Sequence, residues 1–222
     1  MGKRNLLLDA LYPPDLVCPF CGGEALLGAD GVCGQCRPSL RLCPPWLAPP
    51  YGLDGLTAGL VYDGCAKNAL RRFKYKGEAW LAPYLASFIH VPSSWAVDCY
   101  VPVPLHPLRE WLRTYNQSQL LAQALQTRFP FPIRNRLLSR TRYTPPQARL
   151  DASRRAANLN GAFRASPDAA GQSVLLIDDV TTTHSTLLEC AWALRAMGAV
   201  RVYAACACLT GSGGQERDPS AP

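Results

Sequence analysis

No apolar run among the 222 residues is long enough to cross a bilayer, so the chain carries no candidate for a helical membrane span. The opening stretch, MGKRNLLLDALYPPDL, begins with basic residues, but Asp9 breaks its apolar part and Pro13 and Pro14 follow. It has neither a long apolar centre nor a small-residue cleavage site, and it does not read as a secretory leader. Position 6 is Leu6 rather than serine or threonine, so myristoylation at Gly2 is not indicated. The expected location is the cytoplasm. Lysine is scarce, 4 residues against 19 arginines, and internal repeats are absent apart from two short cysteine units. With 48% hydrophobic and 18% charged residues, the composition excludes a disordered chain and fits a globular one with a sizeable core.

Cysteine, by contrast, is plentiful. Four of the ten fall into two CxxC pairs, Cys18-Pro-Phe-Cys21 and Cys33-Gly-Gln-Cys36, separated by eleven residues. Each pair bends sharply enough to aim two thiolates at one tetrahedral ion, and four thiolates favour structural zinc. The alternative is a set of reduced thiols or a redox pair. Cys99, Cys190, Cys206 and Cys208 lie in apolar surroundings and read as small buried hydrophobes. Cys43 is a spare thiol near the pairs.

Composition divides the chain into three. Residues 1–50 form a Cys-, Gly- and Pro-rich module ending in a proline-rich linker at 44–50, residues 51–210 a main domain, and residues 211–222 a tail expected to be disordered. In the main domain strands are expected at 57–62, 100–104, 133–138, 173–177 and 200–207. Helices are expected at 67–89, 117–128 and 185–197. Apolar strands alternating with helices imply an α/β fold, a parallel sheet covered on both faces that binds ligands at the carboxyl ends of its strands.

One such end carries chemistry. In VLLIDDVTTTHST, residues 174–186, an apolar strand delivers Asp178 and Asp179, and the chain then turns through Thr182, Thr183, His184, Ser185 and Thr186 into a helix. Free N–H groups at that helix start, with the hydroxyls, suit a phosphate. Adjacent carboxylates suit ribose hydroxyls or a magnesium ion. This stretch resembles the ribose-phosphate motif of type I phosphoribosyltransferases, with His184 where that family usually has glycine. Upstream, eight arginines between 134 and 164 face a single acid, Asp151, which equals the whole formal excess of +7. Arg140, Arg142, Arg149, Arg154 and Arg155 of this run suit a polyanion such as nucleic acid or a diphosphate-bearing ligand, and the run also suits a solvated surface.

Four further segments narrow the resemblance. They are Phe73-Lys74-Tyr75-Lys76-Gly77, the VPVPLHP run at 101–107 with Arg109, the RTYNQ run at 113–117, and RTRYTPPQ at 140–147 leading to Arg155, Asn158 and Phe163. With the cysteine module and the hydroxyl loop, they resemble the ComF family of competence proteins over nearly the whole chain, Thr114 standing where that family commonly has glycine. The resemblance implies a zinc-ribbon-like module before a type I phosphoribosyltransferase-like domain, and a role in natural transformation with single-stranded DNA as partner. Lys74, Arg109 and Arg113 are the diphosphate candidates, each equally readable as a surface charge. Asn116 and Gln117 read as caps of the next helix, and His106 as a loop residue. Two other functions remain open. One is an active phosphoribosyltransferase using phosphoribosyl pyrophosphate and magnesium, although no residue is recognisable as reading an acceptor base. The other is an adaptor whose zinc module docks a competence helicase or another DNA-processing protein. Catalytic residues and oligomeric state are not legible.

Overall fold

The structure, a computed structural model, describes residues 16–45, 47–106, 113–142 and 161–210. Its centre is a sheet of four parallel strands, β1 (Gly55–Val61), β2 (Cys99–Pro102), β5 (Ser173–Thr181) and β6 (Arg201–Leu209), in the order β1-β6-β5-β2. β3 (Leu138–Arg140) and β4 (Phe163–Ala165) form a separate antiparallel hairpin. The helices are α1 (Gly64–Tyr75), α2 (Ala82–Ser87), α3 (Gln117–Gln126) and α4 (Ser185–Ala196). No helix among the described residues is long and apolar enough to cross a membrane.

Because strand side chains alternate, each central strand feeds two cores. Leu175, Ile177, Ala205 and Ala207 point into one, with Leu70 and Phe73 of α1, Leu85 of α2, and Leu121 and Leu125 of α3. Val174, Leu176, Ala204 and Cys206 point into the other, under Leu187, Cys190, Ala191 and Leu194 of α4 and beside Leu138 and Phe163 of the hairpin. Cys99, Cys190, Cys206 and Cys208 are all buried. The fold is thus the expected α/β one, a parallel sheet flanked by helices with a four-cysteine module in front.

Three sequence expectations differ in detail. The helix expected over 67–89 is two helices, because Gly77 takes a left-handed backbone (φ +72°) directly after the C-cap Lys76 and ends α1. The strand expected at 133–138 does not form. Ile133 makes a lone parallel bridge to Tyr100, the chain turns, and the hairpin strand begins at Leu138 because its partner is the segment Phe163–Ala165. β5 continues four residues beyond Ile177, since β6 pairs with it as far as Thr181. The acid pair therefore sits inside the strand rather than at its end.

The cysteine module is fastened to this body. Cys18, Phe20, Val32, Cys33 and Cys36 belong to the same core as α1 and α2, and Phe20 meets Phe88 edge-to-face at 5.6 Å. Arg72 of α1 donates from Nη1 to the Pro19 carbonyl at 3.0 Å, and it pairs with Glu78. Asn68 donates to the Phe20 carbonyl at 3.3 Å. Beyond the module, Leu42 and Leu47 form antiparallel bridges to Leu60 and Leu56, covering the outer edge of β1.

Candidate functional site

The two acids stand where β5 approaches its carboxyl end, and three elements converge on them. α1 contributes Lys74 in its last turn, whose Nζ lies 2.9 Å from Oδ1 of Asp179, the two side chains being 14% and 10% exposed. α3 contributes Ser118, whose hydroxyl donates to Oδ1 of Asp178 at 3.1 Å. β5 itself closes the arrangement, as the Asp179 N–H donates to the same Asp178 oxygen at 2.8 Å. α3 can point Ser118 this way because Asn116 caps it, accepting from Ser118 N at 3.0 Å and donating to the Val103 carbonyl just beyond β2 at 3.1 Å.

Charge is unevenly shared in this cluster. Burial would lower the Lys74 ammonium, but Asp179, with Asp178 behind it, outweighs burial and holds its pKa above the usual value. Asp178 goes the other way. Burial, reinforced by the neighbouring Asp179, pushes its carboxyl up to about 7 against the pull of Lys74.

The hydroxyl loop follows at once. Thr182, Thr183, His184, Ser185 and Thr186 are all half-buried around the start of α4. Thr183 Oγ1 and Ser185 Oγ are 2.8 Å apart, and Thr181 Oγ1 is 2.9 Å from His184 Nδ1. His184 takes φ 60° and ψ 0°, a left-handed conformation that histidine tolerates better than most side chains, and it serves as N-cap residue. Burial depresses its imidazole pKa, which works against a positive charge in the loop. What remains is a helix N-terminus ringed by hydroxyls beside an acid pair, a geometry able to hold a phosphate and a diol together.

The remaining candidates scatter around this centre. Arg113 does not touch the acids; it donates to Gln117 Oε1 at 3.1 Å and lies over the Tyr75 ring at 5.1 Å. Arg140 stacks over Phe163 at 5.2 Å, and Arg142 is exposed, close enough to Glu189 to lower its pKa against the rise that burial imposes. Arg109, Arg149, Arg154 and Arg155 lie outside the described residues. Ser118, Arg72 and Asn68 were not singled out in the sequence. Apart from Glu78, six residues from Arg72, their partners lie far off in the chain, which no local pattern announces.

Cys18, Cys21, Cys33 and Cys36 form the second centre. Their sulfurs all lie within 4.8 Å of one another, with Cys21 and Cys33 at 3.9 Å. A tetrahedral ion at the zinc–thiolate bond length needs its sulfurs about 3.8 Å apart. Backbone N–H groups already face two of these sulfurs, Gly23 to Cys21 at 3.4 Å and Cys36 to Cys33 at 3.4 Å. Gly22, at φ +78°, makes the first turn. The cluster could hold a metal ion, and its donor set is consistent with structural zinc.

Over 82% of its length the chain is 31% identical to competence protein F of Haemophilus influenzae, covering 79% of that protein. The chain belongs to the ComF family. This ComF protein is also 31% identical to the DNA utilization protein YhgH of Escherichia coli K12, over 87% of its own length and 84% of that protein. To competence protein ComFC of Bacillus subtilis it is 29% identical over 81% of itself and 78% of that protein. No protein-family model matches the chain. Among solved structures, a glutamine phosphoribosylpyrophosphate amidotransferase from B. subtilis, complexed with ADP and GMP, is 17% identical with a TM-score of 0.37, covering 60% of this chain and 26% of that one.

Proposed function

We propose that this ComF protein handles single-stranded DNA in the cytoplasm during natural transformation, while the pocket at the end of β5 binds a ribose phosphate and the cysteine module holds a structural zinc. The observation that carries this reading is the meeting of two recognition chemistries on one body. An acid pair and a hydroxyl-ringed helix start suit a phosphorylated sugar. In front of them comes the arginine-rich stretch, of which Arg134, Arg136, Arg142 and Arg164 are exposed. The relatives' names, competence protein and DNA utilization protein, support the choice of DNA as the polyanion. In this reading the arginines grip backbone phosphates without sequence preference. A DNA-processing partner, such as a helicase, belongs to the same role, since a strand must be delivered and then taken over.

Binding of a labelled single-stranded oligonucleotide, measured against salt, tests the reading. Affinity should fall steeply with salt, and charge reversal of Arg140, Arg142, Arg154 and Arg155 should abolish most of it. Absence of binding at low salt, or an unchanged affinity in the reversed variant, would sink direct DNA binding. Competition by ribose 5-phosphate would place the strand over the β5 pocket, whereas independent binding would place it elsewhere.

A further inference from the structure

Phosphoribosyltransferase chemistry implies magnesium at the acid pair, and the residues present do not fit that ion. Asp179 Oδ1 is taken by the Lys74 ammonium at 2.9 Å, inside a contact whose two side chains are 14% and 10% exposed. Asp178 Oδ1 is taken twice, by the Ser118 hydroxyl and by the Asp179 N–H. α1 holds Lys74 in place, since Phe73 beside it is fully buried and its carbonyl accepts from the Tyr115 hydroxyl. Magnesium demands near-octahedral oxygens at close range and keeps several waters. Here it would meet a compact cation already seated on one carboxylate. One oxygen of each acid is left receiving no hydrogen bond among the described residues. Two adjacent free acceptors are what a vicinal diol, with its two O–H donors, requires.

We infer that Lys74 stands in the place of the divalent cation, so that this site binds a ribose phosphate through Asp178 and Asp179 without magnesium. The inference rests on the ribose-phosphate reading above and goes further, naming the ligand class as a free 2,3-diol sugar phosphate and Lys74 as the residue that frees the site from metal. A diphosphate is not needed to bring a metal in, and the hydroxyl loop carries the single phosphate.

Calorimetry on the full chain with ribose 5-phosphate tests it, with magnesium removed by dialysis in one arm and millimolar magnesium chloride in the other. The expected result is the same dissociation constant in both arms, with 2-deoxyribose 5-phosphate at least about tenfold weaker because one diol hydrogen bond to a carboxylate is lost. The Lys74→Met variant should lose at least about tenfold in the metal-free arm and regain affinity when magnesium is added. Binding that appears only with magnesium overturns the inference and leaves the ribose-phosphate site standing. Binding in neither arm overturns the ribose-phosphate reading itself. Unchanged metal-free binding by Lys74→Met removes Lys74 from the account. Should that variant fail to fold, the comparison of the two arms with the natural chain still decides.

Discussion

Thr114 at φ 66° and His184 at φ 60° are the two non-glycine residues with a left-handed backbone among the described residues, a conformation that glycine adopts without strain. A left-handed L-residue costs about 1–2 kcal/mol, most for a β-branched one, against about 0.5–1 kcal/mol of extra chain entropy that glycine loses on folding. Thr114→Gly should therefore stabilise the protein by roughly 0.5–1 kcal/mol in chemical denaturation, and a loss of stability would show that the turn is not strained. His184→Gly should change stability less, because it also removes the contact with Thr181. Asp178 supplies a pH dependence. Its folded pKa of about 7 exceeds the usual 3.8, so between those values the native state holds more protons than the unfolded one. This group's contribution is thus most favourable at low pH and is lost as pH rises through the window. Asp178→Asn keeps the acceptor for Ser118 and should be stabilising at pH 8 by about 1–3 kcal/mol after allowance for solvent screening, with little effect near pH 4. Thermal unfolding across that range checks it; an equal effect at both ends would contradict it.

Elements meet in this fold at points where a side chain has no room. At Gly59 in β1, an added Cβ would lie 2.9 Å from the backbone carbon and oxygen of Phe88, which follows α2. Backbone cannot step aside as a side-chain tip can, so Gly59→Ala should cost about 1–3 kcal/mol in equilibrium unfolding, and a neutral result would mean that α2 moves freely on the sheet. The cap of α3 is similarly placed. Asn116→Ala removes both the cap and the tie to Val103, with an expected cost of about 1–2 kcal/mol and a displaced Ser118. Such contacts show what could be read in the chain and what could not. β5 was legible because four consecutive apolar residues, Val174 to Ile177, need burial on both faces, and the acids directly after them mark the ligand end. Its extension to Thr181 was not, because pairing with β6 decides it. The hairpin strand at Leu138 has its partner at the far end of the arginine run, so a local pattern centred on Ile133 misplaced it. Lys74 was legible as a cation but not as the partner of Asp179, since only the packing of α1 over the sheet brings the two together.

On the scale of the molecule, the cysteine module and the main domain share one core, with Phe20 and Cys18 packed among α1 and α2 residues and Arg72 tying α1 to the Pro19 carbonyl. Removing the proposed zinc should therefore destabilise the whole chain. Chelation, or Cys33→Ser, is expected to lower the thermal midpoint of a single transition by the equivalent of at least about 3 kcal/mol. Two separate transitions, with the main domain unmoved, would show the module to be independent. Arg72→Met should weaken the same junction while leaving the four thiols intact.

The strand order has a consequence in time. β1 emerges from the ribosome early, yet its parallel neighbour in the sheet is β6, the last strand among the described residues, which also separates it from β5. Until Leu209 is out, the outer strand has no parallel partner and the two helical layers have no complete surface to cover. Nascent chains stalled before that strand should stay protease-sensitive along their whole length, and those stalled well after it should become resistant in a single step. A newborn molecule of this protein is thus committed to its shape only once Leu209 has joined its neighbours.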